Sequence, residues 1–224
     1  YEDFHKNCKI RVPEDFNFAY DIVDEYARLE PGKLALLWTN DADEVRRFTF
    51  ADIKRLSDKA ANLFLSLGLK KGDAVMTLLK RRWQYWIVNV ALCKIGVVLI
   101  PATHLLTEKD IVYRVQAANI KAILSVNEPA VISAVNTAAP HCPTLDHLLC
   151  VDGELEGWED FTAMMEAAPE EFKRPTGEAA THNDDPYLIY FTSGTTGMPK
   201  MVAHSYTYPL GHVITGKYWH NCLD

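Results

Sequence analysis

Short apolar runs recur along the chain, and segments with helical spacing of apolar and polar residues separate them. Each run is long enough for a buried strand, and the runs lie at residues 74–79, 97–100, 122–126, 148–151 and 187–191. Strands and helices in strict alternation are typical of a parallel sheet with helices on its faces. The pattern therefore predicts an α/β fold.

The segments between the runs contain residues that begin and end helices. The candidates are two short-armed capping boxes and three terminating residues: Thr49 with Asp52, Thr107 with Asp110, then Gly68, Gly96 and Asn119. Residues 85–95, which precede Gly96, are apolar on nearly every helical face. That composition predicts a helix buried against the sheet.

Residues 34–38 and 46–50 flank the turn-rich segment "TNDADE" and predict an antiparallel hairpin ahead of the sheet. A charged, proline-bounded segment before the last run predicts an exposed connection. The predicted organisation has four parts: an N-terminal extension with the hairpin (1–50), an α/β subdomain (51–168), an exposed linker (169–186), and a strand, a loop and the start of a further subdomain (187–224).

The charge balance argues against two classes of partner. The formal net charge is −7 and the isoelectric point is near 5.6, so a general attraction for nucleic acid or anionic lipid is not expected. The sequence has no apolar stretch long enough to span a membrane and no leader pattern, which predicts a cytoplasmic protein. Its five cysteines are odd in number and widely spaced, so we expect reduced thiols rather than disulfides or a zinc site.

The last apolar run leads directly into a loop rich in hydroxyls and glycines. The candidate ligand-binding residues are Thr192, Ser193, Gly194, Thr195, Thr196, Gly197 and Lys200. Glycine lets the backbone come close to a ligand, consecutive N–H groups can surround an anion, and hydroxyls and an ammonium add donors. The group predicts a polyphosphate site.

A flexible surface turn is the alternative interpretation of a bare Gly-Thr-Thr-Gly sequence. The position of the loop favours the phosphate interpretation, because α/β sheets bind ligands at the carboxyl ends of their strands. A Walker A loop is excluded, because Pro199 and Met201 flank Lys200 in place of the required glycine and Ser/Thr. A Rossmann fingerprint is also absent after the first strand.

The segment "YFTSGTTGMPK" at residues 190–200 resembles the phosphate-loop signature of the adenylate-forming enzymes. Within that superfamily, "IPATHLLTEKDIVYRVQ" (100–116) and "YFTSGTTGMPKMVAHSY" (190–206) are most similar to the medium-chain acyl-CoA synthetases. The resemblance implies the N-terminal part of their large domain. It also implies activation of a carboxylic acid with ATP and Mg²⁺, followed by transfer of the acyl group to coenzyme A.

By this resemblance, the loop hydroxyls and Lys200 hold the β- and γ-phosphates of ATP. The family's adenine, ribose, hinge and late-lysine motifs are expected beyond Asp224, so no catalytic residue other than this loop is expected within the 224 residues. The chain is therefore expected to be part of a longer protein and to show no turnover alone. No metal-ligand spacing occurs, and Mg²⁺ is expected to arrive with ATP.

Two alternatives to a fatty-acid ligase stay open at this point. Acid choice is set by residues mostly outside the chain, so an aryl-CoA ligase acting on benzoate-like acids competes with a fatty-acid ligase. A non-catalytic module that holds nucleotide or docks a partner is the alternative hypothesis in which the chain is not part of an enzyme. For His104 and His204, we favour a structural role over a ligand contact. The sequence does not predict the oligomeric state.

Overall fold

The computed structural model describes residues 2–193 and 197–222. The elements occur in the order α1 (Glu2–Asn7), a π-helical turn (Ala19–Asp24), α2 (Glu25–Leu29), β1 (Leu34–Thr39), β2 (Val45–Thr49), α3 (Phe50–Ser66), β3 (Ala74–Leu78), α4 (Gln84–Ile95), β4 (Val98–Pro101), α5 (Glu108–Ala118), β5 (Ile120–Ser125), α6 (Pro129–Ala138), β6 (His147–Cys150), β7 (Glu159–Asp160), α7 (Phe161–Ala167), β8 (Pro186–Thr192), β9 (Lys200–Ser205) and α8 (Tyr208–Tyr218). Two 3₁₀ turns, Ala139–His141 and Gly177–Ala179, complete this order.

Across the described residues, seven strands form one sheet in the order β7-β6-β5-β3-β4-β8-β9. All neighbouring pairs are parallel except β8 and β9, which run antiparallel. Strands β1 and β2 form a separate antiparallel hairpin. The predicted α/β fold, with a mostly parallel sheet and an N-terminal hairpin, is confirmed.

The core lies around the three central strands and the helices beside them. Every residue of β3 is buried, and β4 and β5 are buried at nearly every position. Helix α4 is buried over most of its surface, as its apolar composition predicts, and it packs beside α3. A parallel strand that is covered on both faces needs such a continuous apolar run, which explains why periodicity identified these strands.

The predicted helix ends are present. Thr49 with Asp52 and Thr107 with Asp110 each form a reciprocal capping box at the start of α3 and α5. Asn119 adopts the left-handed conformation, at φ 48°. Gly96 has φ 74°, and a Cβ there would lie 2.7 Å from Cγ of Lys71, so both conformation and space require glycine.

Several features differ from the sequence prediction. Phe50 begins α3 rather than ending the hairpin, because Thr49 is the residue that caps the helix. Strand β9 returns antiparallel along β8, and the prediction contained no such pair. Residues 169–186 are mostly exposed, yet Thr181 is buried and its hydroxyl accepts a hydrogen bond from Asn17 at 3.0 Å. The connection is therefore attached to the body of the protein.

A buried ion cluster fixes the N-terminal segment to the helical layer. The Lys94 ammonium is fully buried and bonds the carboxylates of Asp24, at 2.8 Å, and Asp58. Burial raises the pKa of Asp24, while the nearby Lys94 opposes that effect. Such a cluster is costly to break, because one lost partner leaves a buried charge uncompensated.

None of the described helices is long and apolar enough to cross a membrane.

Candidate functional site

The hydroxyl-rich loop connects β8 to β9. Thr192 ends β8, Lys200 begins β9, and the two residues are paired in the antiparallel register. The Thr192 hydroxyl donates to the carbonyl of Lys200 at 3.4 Å. Thr192, Ser193 and Lys200 are all exposed. The hairpin thus brings the first hydroxyl and the lysine of the predicted site side by side.

The structure describes four of the seven predicted ligand-binding residues: Thr192, Ser193, Gly197 and Lys200. Gly194, Thr195 and Thr196 lie outside the described residues. Gly197 has φ +147°, a conformation that side chains with a Cβ rarely adopt, and a Cβ there would meet no atom within 4 Å. Glycine is therefore required at this position by backbone conformation and not by crowding.

The loop lies at the carboxyl edge of the parallel sheet. Strand β8 runs parallel to β4, with Leu188 opposite Leu99, and both leucines are buried. Because β3, β4 and β8 share one direction, their carboxyl ends meet at the same edge. This edge is where ligands of α/β proteins bind.

The electrostatic environment of the loop suits an anion. Residues 187–207 include Lys200 and no Asp or Glu, although the whole chain has a net charge of −7. Among the described residues, no carboxylate oxygen lies within 4.0 Å of the Lys200 ammonium. The lysine therefore presents its charge to solvent or to a ligand.

Helix α5 supports both ends of the loop. The Tyr113 hydroxyl donates to the Pro199 carbonyl at 2.8 Å. The Tyr113 ring meets the Phe191 ring edge-on at 6.1 Å, and the Arg114 guanidinium lies 5.1 Å from the centre of the same ring. Sequence reasoning missed both residues, because their positions on the helix carry no signal of a contact with a strand about 80 residues away.

A cleft of about 780 Å³ lies at the carboxyl ends of β3 and β4, beside β1. Its lining includes Thr77, His104 and the aromatic rings of Trp38, Tyr85 and Trp86. The buried hydroxyl of Thr77 has no hydrogen-bond partner in the described part of the chain. His104 thus lines a cleft at the ligand-binding edge.

The basic segment at the rim of this cleft is largely neutralised. Lys80 pairs with Glu128 at 2.7 Å, and Arg82 pairs with Asp152 at 2.9 Å. The hydrogen bonds that Arg82 donates to the Asp152 carboxylate raise the pKa of Arg82. Burial acts to raise the pKa of Asp152, but hydrogen bonds from Arg82 and from the Asn127 amide lower it on balance. Lys80 and Arg82 are therefore paired with carboxylates of the protein itself.

His204 lies in an aromatic row and not in the loop. Its ring is 5.8 Å from Tyr190 and 4.1 Å from Tyr208, and Tyr208 in turn contacts His212. These contacts are those of a packing residue. A second, mostly apolar groove of about 650 Å³ runs beside this row, between β8, α4 and the hairpin.

Large aromatic side chains of the protein lie both in the core and on the surface. Trp83 and Tyr206 are buried, and Trp86, Tyr218 and Trp219 are exposed. No group of three or more His, Cys, Asp or Glu side chains with metal-binding geometry occurs in residues 2–193 and 197–222.

Comparison with protein families matches residues 23–222 to the family described as AMP-binding enzyme. Among curated proteins, the chain is 37% identical over 228 residues to acyl-coenzyme A synthetase ACSM4, mitochondrial, of Rattus norvegicus, covering 97% of this chain and 38% of that protein. It is 40% identical over 216 residues to ACSM5, mitochondrial, of Mus musculus, covering 93% of this chain and 36% of that protein. The chain thus spans less than two fifths of these relatives.

Two solved structures share the fold. The anthranilate CoA ligase AuaEII in complex with anthranoyl-AMP aligns with a TM-score of 0.81 and 23% identity, over 92% of this chain and 38% of that chain. An acyl-CoA synthetase of Brucella canis aligns with a TM-score of 0.81 and 20% identity, over 97% of this chain and 40% of that chain.

Proposed function

The chain belongs to the AMP-binding enzyme family, and we propose that the whole protein is an ATP-dependent acid:CoA ligase. It activates a carboxylic acid as acyl-AMP and passes the acyl group to coenzyme A. One observation carries this proposal: the loop with Thr192 beside Lys200 lies at the carboxyl edge of the sheet, in a segment without carboxylates. That arrangement suits the phosphates of ATP.

The chemistry assigns a specific role to the loop. The acid's carboxylate attacks the α-phosphate, the bond to the β-phosphate oxygen breaks, and pyrophosphate leaves with that electron pair. The thiol of coenzyme A then attacks the acyl carbon, loses its proton and displaces AMP. Lys200 and the loop hydroxyls stabilise the negative charge that develops on the departing pyrophosphate.

Mg²⁺ accompanies ATP in this proposal. The described residues contain no group of three or more potential metal-ligating side chains, and the phosphate oxygens of the nucleotide would supply ligands of the kind that Mg²⁺ prefers. The residues proposed to contact the nucleotide are Thr192, Ser193, Gly194, Thr195, Thr196, Gly197 and Lys200. The chain alone holds these groups and is proposed to lack turnover.

We propose a short- or medium-chain fatty acid as the substrate. The similarity to acyl-coenzyme A synthetases over 97% of the chain supports this class. A benzoate-like acid is the alternative, since the fold is shared with the anthranilate CoA ligase AuaEII. Assays of the full-length protein with octanoate, butyrate, isobutyrate and benzoate separate the two, and a strong preference for benzoate would reverse the order.

The loop assignment is tested in the full-length protein with Lys200→Ala combined with Thr196→Ala. Charge-assisted hydrogen bonds contribute about 1.5–3 kcal/mol each, so the loss of two should slow pyrophosphate exchange by about a hundredfold or more. Lys217→Ala combined with Thr137→Ala is the matched control, because both residues are exposed and lie on α8 and α6. Equal exchange rates in the two double variants would remove the phosphate role.

The compartment is part of the proposal. The curated relatives are named mitochondrial, which favours that organelle over the cytoplasm predicted from the sequence. Imaging of the tagged full-length protein distinguishes the two locations.

A further inference from the structure

We propose that Tyr113 is a positioning residue that sets the orientation of Lys200 toward the phosphates, with Arg114 holding the opposite end of the loop. The inference rests on the proposed function of the loop. It adds a helix, α5, to the working parts of the site. Neither residue is proposed to touch ATP.

The hydrogen bond to Pro199 acts directly on Lys200. Proline has no backbone N–H, so its carbonyl is the only backbone group at that position that can form a hydrogen bond. The peptide that joins Pro199 to Lys200 is planar, and a bond to its carbonyl oxygen fixes the whole plane. The 2.8 Å bond from the Tyr113 hydroxyl therefore fixes the direction in which the Lys200 N–H and Cα leave Pro199.

The same helix holds the other end of the loop. Phe191 directly precedes Thr192, and its ring lies against Tyr113 on one side and Arg114 on another. Edge-to-face aromatic contacts and guanidinium contacts with a ring face are both attractive. Two consecutive helix residues thus contact the strand ends on either side of the loop.

Helix α5, which contacts the loop, is itself held in place by a capping box and by buried side chains. The capping box of Thr107 and Asp110 defines the first turn of α5. Arg114 donates from Nη1 to the Asp110 carbonyl at 3.0 Å, so its guanidinium is oriented before it meets Phe191. Ile111 and Val115 are buried in the core. Because α5 is packed into the core, its contacts with the loop fix the loop relative to the core.

The contact is separable from the general packing of the protein. Tyr113 is half-buried, and Tyr113→Phe removes the hydroxyl while it keeps the ring against Phe191. Tyr20→Phe is a matched control, because the Tyr20 hydroxyl also donates to a backbone carbonyl, that of Lys94 at 3.1 Å. Both changes delete one hydroxyl-to-carbonyl bond of a half-buried tyrosine, and only one of these bonds ends at the loop.

The experiment uses the full-length protein and two readouts. Amide hydrogen exchange at Met198, Lys200 and Met201 is measured without ligand, and the dissociation constant for Mg-ATP is measured by calorimetry. Tyr113→Phe should accelerate exchange at these amides by about tenfold and weaken Mg-ATP binding by about three- to tenfold. Tyr20→Phe should change neither quantity.

Two results overturn the inference. One is unchanged exchange at residues 198–201 in Tyr113→Phe. The other is faster exchange with unchanged Mg-ATP affinity, provided that Lys200→Ala weakens binding in the same assay. Lys200→Ala also keeps the proposed function separate: if that variant binds Mg-ATP normally, the phosphate assignment fails, and ligand-free exchange alone decides whether Tyr113 positions the loop.

Discussion

The two antiparallel hairpins in the described part of the chain are ordered in different ways. In the β1–β2 hairpin, the turn is held by one of its own side chains: Oδ1 of Asn40 accepts hydrogen bonds from the amides of Ala42 and Glu44, both at 3.0 Å. Asp43 takes the left-handed conformation at φ 57°, as Asp and Asn do most readily among residues with a Cβ. The side chain of Asn40 thus forms its hydrogen bonds within the turn itself.

The β8–β9 hairpin takes its order from outside. Its described flanks, including Ser193, Gly197 and Lys200, are exposed, and Pro199 in the loop accepts a hydrogen bond from Tyr113 on α5. Leu188 ties β8 into the main sheet, whereas β1 and β2 form a sheet of their own. We infer that the polar side chains of the first turn are used to stabilise the turn itself. The loop of the second hairpin is stabilised by a neighbouring helix, so its own polar groups can face a ligand.

Leu188→Ala tests whether the second hairpin is part of the main sheet. The side chain is 3% exposed, so its truncation should lower the free energy of unfolding by about 2–5 kcal/mol. Leu37→Ala on β1 is the control, because Leu37 is 55% exposed and its loss should change stability by less than about 0.5 kcal/mol. Urea unfolding measures both, and equal losses would contradict the distinction between the hairpins.

Gly197→Ala tests the backbone of the loop. The strain of φ +147° should cost about 1–3 kcal/mol, and we expect slower pyrophosphate exchange in the full-length protein because the loop leaves its binding conformation. Gly153→Ala is the control, since it has φ +100°, equally open surroundings and a position after β6. Both variants should lose stability, and a similar loss of exchange activity in Gly153→Ala would refute a special role for Gly197.

The sequence predicted the features that depend on local chemistry. The buried strands, both capping boxes and the left-handed Asn119 follow from neighbouring residues, and the structure confirms them. The first hairpin was predicted for the same reason, since Asn40 and Asp43 lie within its own turn. The loop residues were selected from a single segment of chain, and their phosphate role stays a prediction.

The features that the sequence did not predict depend on distant residues. The support from Tyr113 joins residues 86 positions apart, and no local pattern marks either partner. Strand β9 is exposed at its first four positions, so it lacks the alternation that marks a half-buried strand. Its order comes from hydrogen bonding to β8. The second hairpin is thus harder to predict for the same reason that it suits a ligand site.

Asn40→Ala tests the first hairpin, whose turn is stabilised by its own side chain. The change removes the acceptor for two backbone amides, both exposed to water, so the loss of stability should be about 1 kcal/mol. Amide exchange at Ala42 and Glu44 should accelerate, while Mg-ATP binding stays unchanged. Weaker Mg-ATP binding in this variant would mean that the two hairpins are coupled.

Asp110→Asn gives the smallest expected effect and tests whether α5 transmits order to the loop. Hydrogen bonds from the Thr107 hydroxyl and amide lower the pKa of Asp110 below its usual value of 3.8. A lowered folded pKa stabilises the protein above the unfolded pKa, and this contribution disappears as the pH falls through the folded pKa. Because the side chain is 38% exposed and solvent screens its charge, the loss at pH 7 should be about 0.5–1 kcal/mol, and it should decline as the pH falls below 3.8 toward the folded pKa.

Asp52→Asn is the matched control for this change, because Asp52 has the same capping bonds with Thr49 at the start of α3 and a similarly lowered pKa. Both variants should show the same pH-dependent loss in urea unfolding. If α5 holds the loop, only Asp110→Asn should also accelerate amide exchange at residues 198–201, because Arg114 loses its ion pair with the Asp110 carboxylate, at 3.7 Å, and so part of what orients it against Phe191. Equal exchange at these residues in both variants would show that the first turn of α5 does not control the loop, and that Tyr113 acts through its own hydrogen bond alone.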